Sequence, residues 1–266
     1  MGSVKSSRGP DLAGVASDGV IDRAFAWLCK QRRNHPDFSD VWDLRRCWTA
    51  AKSRIQRELR ARTYRFDLLR RIELGGATVE LWSSHDALVL KALTLVLSRH
   101  LTISPLCVHV KGHGGAKRTA KEIARATIRL PFVLRTDVRS FYASIDHGVV
   151  LDQVARYVHD RGILNLIGQY LTCTAEAGGL YFEHRQGISL GCPLSPLIGA
   201  LYLKELDDAF ATSGLFYRRF MDDVIVLAPT RWKLRRAVMK LNGNYSPLRT
   251  VFERRVPARG SCRIFA

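Results

Sequence analysis

The sequence predicts an α/β (α+β) fold in which an antiparallel sheet packs on helices. Three observations carry this expectation. The runs FYRRF (216–220) and VIVLA (224–228) are rich in aromatic and β-branched residues and bracket three residues, Met221-Asp222-Asp223, which is hairpin spacing. The run FVLRTDV (132–138) reads as another strand of mostly core residue types. Against these stand long helical stretches, one with a rough apolar stripe (41–62) and one apolar nearly all round (85–101).

Taken in order, residues 1–20 are small, polar and Gly-containing, which predicts a mobile leader. A short helix is expected from Ile21 to Lys30, and HPDFSD then breaks the pattern, with Ser39 or Asp40 able to cap a new helix. That helix, Val41 to Arg62, carries Trp42, Leu44, Trp48, Ile55 and Leu59 on its apolar stripe. Its other faces hold Arg45, Arg46, Lys52, Arg54, Arg57, Arg60 and Arg62, with Glu58 almost the only acid to neutralise them. A charge run is usually a solvated face; this imbalance predicts a surface that tracks phosphates.

YRFDLLRRIEL and GATVELWS read as two short strands around Gly75-Gly76. CVHVKGHGGAKRTAKEIARAT reads as a strand, a glycine-rich basic loop and a helix from about Lys117. Val149 to Arg161 and Ile163 to Thr172 are expected helical. GGLYFEHRQGISLGCPLSP is a strand and loop, followed by an apolar helix from Leu197 to Ala209. TRWKLRRAVMKLN is a helix after the hairpin, and the remainder to Ala266 has no clear apolar period.

With 266 residues and 47% hydrophobic content the chain can bury a sizeable core. Forty-two Lys and Arg against 24 Asp and Glu give a formal charge of +18, a self-repulsion that a polyanion would offset. Nucleic acid is the first candidate and an anionic membrane surface the second. No run of eighteen apolar residues predicts a membrane span. Six cysteines without CxxC spacing argue against a zinc site or a disulfide framework, and a reducing cytoplasm fits best.

Asp222 and Asp223 side by side in an apolar hairpin repel each other and invite a cation. One Asp in a turn is ordinary; two are not. Asp137, near the end of FVLRTDV, supplies a third carboxylate from another strand end. Three such groups make an all-oxygen site suited to Mg²⁺. Two ions about 4 Å apart would serve phosphoryl transfer.

With these residues in hand, the chain resembles the bacterial reverse transcriptases, in particular those similar to group II intron and retron enzymes. VLRTDVRSFYASIDH, QGISLGCPLSP, FMDD and HVKGHGGAKRTA match four of the family's motifs, with Phe220 where the family usually has Tyr. The resemblance implies a right-hand polymerase fingers–palm core. It implies metal ligands at Asp137, Asp222, Asp223 and the Val138 carbonyl, for two Mg²⁺ ions (Mn²⁺ in their place). Tyr142 would pack under the sugar and exclude a 2′-hydroxyl, against a bland reading as core packing beside Phe141. Gln186 and Gly187 would lie against template and base pair, and Lys111, Lys117 and Arg118 would face the triphosphate. His109, His113 and His147 read as structural or template-facing.

The implied partners are an RNA template, a DNA or RNA primer and deoxynucleotides, with no membrane. The expected division is leader 1–20, basic helical extension 21–62, fingers 63–130 and palm 131–240 with a fingers insertion within 173–195. A basic tail, 241–266, would follow where the family has a lysine motif and a thumb; from Arg231 to the last residue the chain carries ten Lys or Arg against one acid, Glu253. This predicts a thumb that is absent or incomplete, and a weakened grip on the duplex. The alternative function is a catalytically inactive or maturase-like RNA-binding fragment; an RNA polymerase is disfavoured by Tyr142.

Overall fold

The structure, a computed structural model, describes residues 9–74, 77–243 and 252–255. These residues form two compact units, interleaved along the chain.

The first unit comprises the described residues up to Thr102, together with Val150–Ser195. Its helices begin earlier than the sequence predicts. Asp11 caps a short α1 (Leu12–Val15) by accepting from the Gly14 amide, and α2 (Asp18–Gln31) follows at once. Leu12, Val15, Ala16, Val20 and Ile21 are buried. Residues 12–20, expected within the leader, are largely helical instead, because apolar residues at helical spacing find a core there; residues 1–8 lie outside the described residues. The single helix expected over 41–62 is two helices, α3 (Asp40–Arg46) and α4 (Trp48–Arg60), meeting at Cys47 (φ −101°, ψ 24°). After this break Trp48 lies flat on Phe25, ring centroids 3.7 Å apart, while Leu44, Ile55 and Leu59 keep the buried stripe.

The two strands expected around Gly75-Gly76 are present as β1 (Leu69–Leu74) and β2 (Ala77–Leu81), which pair antiparallel; Gly75 and Gly76 lie outside the described residues. Helix α5 (Ser84–Leu97) is buried on most of its surface. Its first turn holds Asp86, whose carboxylate accepts from the Tyr64 hydroxyl, the Ser83 hydroxyl and the Asp67 amide. Removal from water pushes the Asp86 carboxyl up to about 6, against those three donors. Helix α9 (Arg161–Leu171) is capped by Asp160, which accepts from the Gly162 and Ile163 amides, and the helix expected to run from Val149 through Arg161 already ends at Ala155. Strands β4 (Thr174–Ala177) and β5 (Leu180–Glu183) complete a sheet of order β2-β1-β4-β5. The sequence reading had found β5 but not β4, which is too short for its period to stand out.

The second unit comprises Ile103–Val149 and the described residues from Pro196 onward. Its sheet has the order β6-β7-β3-β8, all antiparallel: β6 (Phe216–Phe220), β7 (Asp223–Ala228), β3 (Phe132–Val138) and β8 (Phe252–Arg255). Strand alternation selects the buried face. Leu134, Thr136 and Val138 share it with Tyr217, Arg219, Val224 and Val226. Helices α6 (Gly115–Ala126), α7 (Phe141–Ser144), α8 (His147–Ala155), α10 (Ser195–Tyr202), α11 (Lys204–Ala211) and α12 (Arg231–Gly243) are the remaining elements, α8 and α10 each crossing the division between the units. The helix expected over Leu197–Ala209 breaks at Leu203.

Residues 103–130, expected in the fingers, belong to the sheet unit, because Val108 donates its amide to the Arg219 carbonyl and the Arg219 amide donates to Leu106. The tail expected to be irregular contributes Phe252–Arg255 as a strand on β3; residues 244–251 and 256–266 lie outside the described residues. No helix among the described residues is long and apolar enough to cross a membrane.

Candidate active site

The β6–β7 hairpin places the acids. Register pairs Phe220 with Asp223, so the loop is only Met221 and Asp222, one residue shorter than the sequence reading had it. Asp222 sits at the tip and Asp223 opens β7. A two-residue hairpin loop needs a left-handed residue to match the strand twist, normally Gly or Asn. Met221 takes that role at φ 54°, at a cost of about 1–2 kcal/mol for a side-chain-bearing residue.

Three groups hold it there. The Met221 amide donates to His109 Nδ1 at 3.0 Å, and the Met221 carbonyl accepts from Arg219 Nη1 at 2.7 Å. The Tyr142 hydroxyl lies 3.8 Å from Met221 Sδ.

The register between β3 and β7 runs from Phe132 opposite Ala228 to Thr136 opposite Val224, so Asp137 directly follows the last paired residue of β3 and Asp223 directly precedes Val224 on β7. The three aspartates therefore reach one end of the sheet on adjacent strands. They do not form a ready ligand set: among the described residues no group of three His, Cys, Asp or Glu side chains is arranged to hold a metal ion. Asp223 Oδ1 instead accepts from Arg135 Nη2 at 3.3 Å. Neighbouring carboxylates repel, and a guanidinium two residues before Asp137 on the same face gives one of them a countercharge. The donors remain all-oxygen, and in that respect they suit a hard cation.

Behind the tip lies a buried ion pair. Arg219 and Asp207 are both 0% exposed. Arg219 Nε donates to Asp207 Oδ1 at 2.8 Å, and Nη2 donates to Asp207 Oδ2 at 2.6 Å and to the Ala200 carbonyl at 3.0 Å. The Tyr217 hydroxyl donates to Asp207 Oδ1 at 2.8 Å. Burial works against the Arg219 charge, and Asp207 overrides it, holding the guanidinium above its ordinary value. His109 Nε2 meets the Pro196 carbonyl at 3.1 Å. Burial, followed by the Arg219 charge, lowers the His109 pKa against the Pro196 hydrogen bond. The imidazole is held neutral.

Tyr142 lies beside the tip, its ring edge-on to Phe141 at 5.2 Å. Burial, and then the Asp222 carboxylate, push its phenol upward. Gly199 leaves room for these rings: a Cβ there would come within 3.0 Å of Phe141. Val138 ends β3 with its side chain buried.

Lys111 is exposed on the glycine loop and Lys117 is exposed in the first turn of α6; Gly112, Gly114 and Gly115 all have positive φ. Arg118 is engaged by Glu122 at 3.0 Å, and Glu122 also accepts from Arg218. Gln186 and Gly187 lie in the first unit, Gln186 exposed and Gly187 buried at φ 84°.

The basic helix is less bare than its sequence implies. Lys52 meets Asp18 at 2.7 Å and Asp22 at 2.9 Å, Arg46 pairs with Asp43, and Arg54 lies 3.9 Å from Glu58. Arg45 donates to the Cys29 carbonyl and caps the Trp42 ring. Arg57 is exposed. Tertiary packing brings acids from α2 that no local window contains.

Sequence reasoning gave no role to Arg219 or Asp207, and read His109 only as structural or template-facing. A signal existed for one of them: within FYRRF the alternation that buries Tyr217 also buries Arg219, and a charge in that phase needs a partner.

The family profile described as reverse transcriptase (RNA-dependent DNA polymerase) matches residues 84–246, and the chain belongs to that family. Among solved structures it is similar to a chain of a "Partial Cas6-RT-Cas1--Cas2 complex", at 17% identity and a TM-score of 0.54, covering 90% of this chain and 44% of that one. It is similar to a chain of a "Cas6-RT-Cas1--Cas2 complex" at the same identity and TM-score, covering 90% of this chain and 27% of that one. At this identity the likeness is one of fold, and the chain spans less than half the length of either. No curated protein matches.

Proposed function

We propose that this chain is an RNA-directed DNA polymerase core that adds deoxynucleotides to a primer 3′-hydroxyl on an RNA template. The observation that carries the reading is the register, which delivers Asp137 from β3 and Asp222–Asp223 from the hairpin to one end of one sheet. In the reaction the primer 3′-oxygen bonds to the nucleotide α-phosphorus while the bond to pyrophosphate breaks.

Asp137 and Asp222 would hold two Mg²⁺ ions, with the Val138 carbonyl and Asp223 completing the set; the ions would neutralise phosphate charge and activate the attacking hydroxyl. The chain itself positions. Asp223, charge-paired with Arg135, fixes the start of β7 and the field around the other two carboxylates. Tyr142, wedged between Phe141 and Met221, offers a rigid ring beside Asp222 for the sugar to rest on. Exposed Lys111 and Lys117 supply cations for the triphosphate, and Gln186 and Gly187 serve the template. Arg45, Arg46, Lys52, Arg54 and Arg57 contribute long-range attraction for the nucleic acid backbone, with Arg57 the exposed member whose charge is least offset.

A second reading, a non-catalytic or maturase-like RNA-binding fragment, draws on one observation: the carboxylates are not gathered as ligands. Primer extension on an RNA template with Mg²⁺ separates the two. Incorporation by the native chain that Asp222→Ala abolishes supports the polymerase; RNA binding without incorporation supports the fragment. Ribonucleotide preference would instead indicate an RNA polymerase.

A further inference from the structure

Met221 is an unusual residue to find at φ 54°, and both of its backbone polar groups are satisfied by side chains. In a two-residue hairpin loop these groups commonly face water. Here the amide meets His109 and the carbonyl meets Arg219, which is itself locked to Asp207 and to the Ala200 carbonyl. The delivery of His109 follows from the backbone. The isolated parallel bridge between Cys107 and Arg219 lies two residues before His109 in one segment and two before Met221 in the other, and the His109 Nδ1 then takes the Met221 amide. The imidazole then spans two fixed backbone groups, with Cys107 Sγ also 3.3 Å from Nδ1. The Pro196 carbonyl only accepts, so Nε2 carries the proton; the Met221 amide only donates, so Nδ1 is bare.

We propose that His109 and Arg219 are positioning residues that clamp the Met221 peptide in its left-handed turn and thereby set the place of Asp222. This rests on the polymerase reading given above. Neither residue reaches substrate in this role. The clamp replaces the glycine that the turn would otherwise take: glycine would adopt the conformation freely and sample others, whereas a clamped methionine is held in one. A reacting carboxylate gains from that rigidity, because displacement by about 1 Å can cost on the order of 10²-fold in rate.

Two substitutions divide the imidazole's bonds. His109→Asn keeps an acceptor at the Nδ1 position and loses the Pro196 contact; His109→Gln keeps a donor at the Nε2 position and loses the acceptor for Met221. In primer extension, His109→Gln is expected to lower kcat by on the order of 10²-fold with KM for the nucleotide and affinity for RNA unchanged. His109→Asn is expected to restore most of that loss, although each variant gives up one hydrogen bond and the two should melt at similar temperatures. Equal activity in the two variants, high or low, overturns the proposal.

The native chain supplies an independent reading by ¹⁵N NMR of labelled histidine, with the His109 resonances assigned through the variants. A bare Nδ1 and a protonated Nε2 at neutral pH support the clamp, and a proton on Nδ1 overturns it. If the native chain incorporates no nucleotide under Mg²⁺ or Mn²⁺, the polymerase reading fails, and the NMR result still decides the clamp.

Discussion

Replacing Asp207 by Asn tests the buried pair behind the hairpin. The carboxylate takes two short hydrogen bonds from Arg219 and one from Tyr217, with both members of the pair out of water. An asparagine retains one acceptor and turns an amide N–H₂ toward a guanidinium that has only donors. The guanidinium stays charged and buried with two carbonyls for company. Removing one partner of such a pair costs about 3–5 kcal/mol, a large part of the roughly 5–15 kcal/mol by which folded domains are stable. The neighbouring Asp208→Asn is the control. Asp208 pairs with Lys204 one helical turn away and is 53% exposed, so its loss should cost no more than about 0.5 kcal/mol. The assay is urea unfolding followed through hydrogen exchange of the β6 and β7 amides, which isolates the sheet unit. A loss below about 1 kcal/mol for Asp207→Asn, or equal losses for both variants, would refute the argument, since water must then reach Arg219.

Two further outcomes are expected. The Asp86 carboxyl, at about 6 in the folded chain against an ordinary 3.8, binds its proton more tightly folded than unfolded. Its contribution to stability is therefore full below about pH 4 and is lost as pH rises through 6, by at most roughly 3 kcal/mol at 1.36 kcal/mol per pKa unit; denaturant titrations should show this slope flattened in Asp86→Asn, and an unchanged slope would contradict the assignment. Tyr142→Ala should weaken discrimination against ribonucleotides by about tenfold or more in competitive primer extension, whereas an unchanged ratio would return Tyr142 to core packing beside Phe141.

Much of the core was readable along the chain. The aromatic, β-branched and core residue types of FYRRF, VIVLA and FVLRTDV mark strands that the structure contains as β6, β7 and β3, and the order of the motifs marks the family. Helical spacing likewise marks α2, α5 and α12, because period and residue type are local properties. Local windows do not carry partners. Asp18 and Asp22 neutralise Lys52 from 30 or more residues away, Asp207 reaches Arg219 from a helix, and Arg135 claims Asp223 across the sheet. The loop length that separates Asp222 from Asp223 was settled by register, and His109 met Met221 because a parallel bridge ran beside β6. Which residues could serve the proposed site was written in the residue types; where each charge is spent was decided by distances that only packing creates.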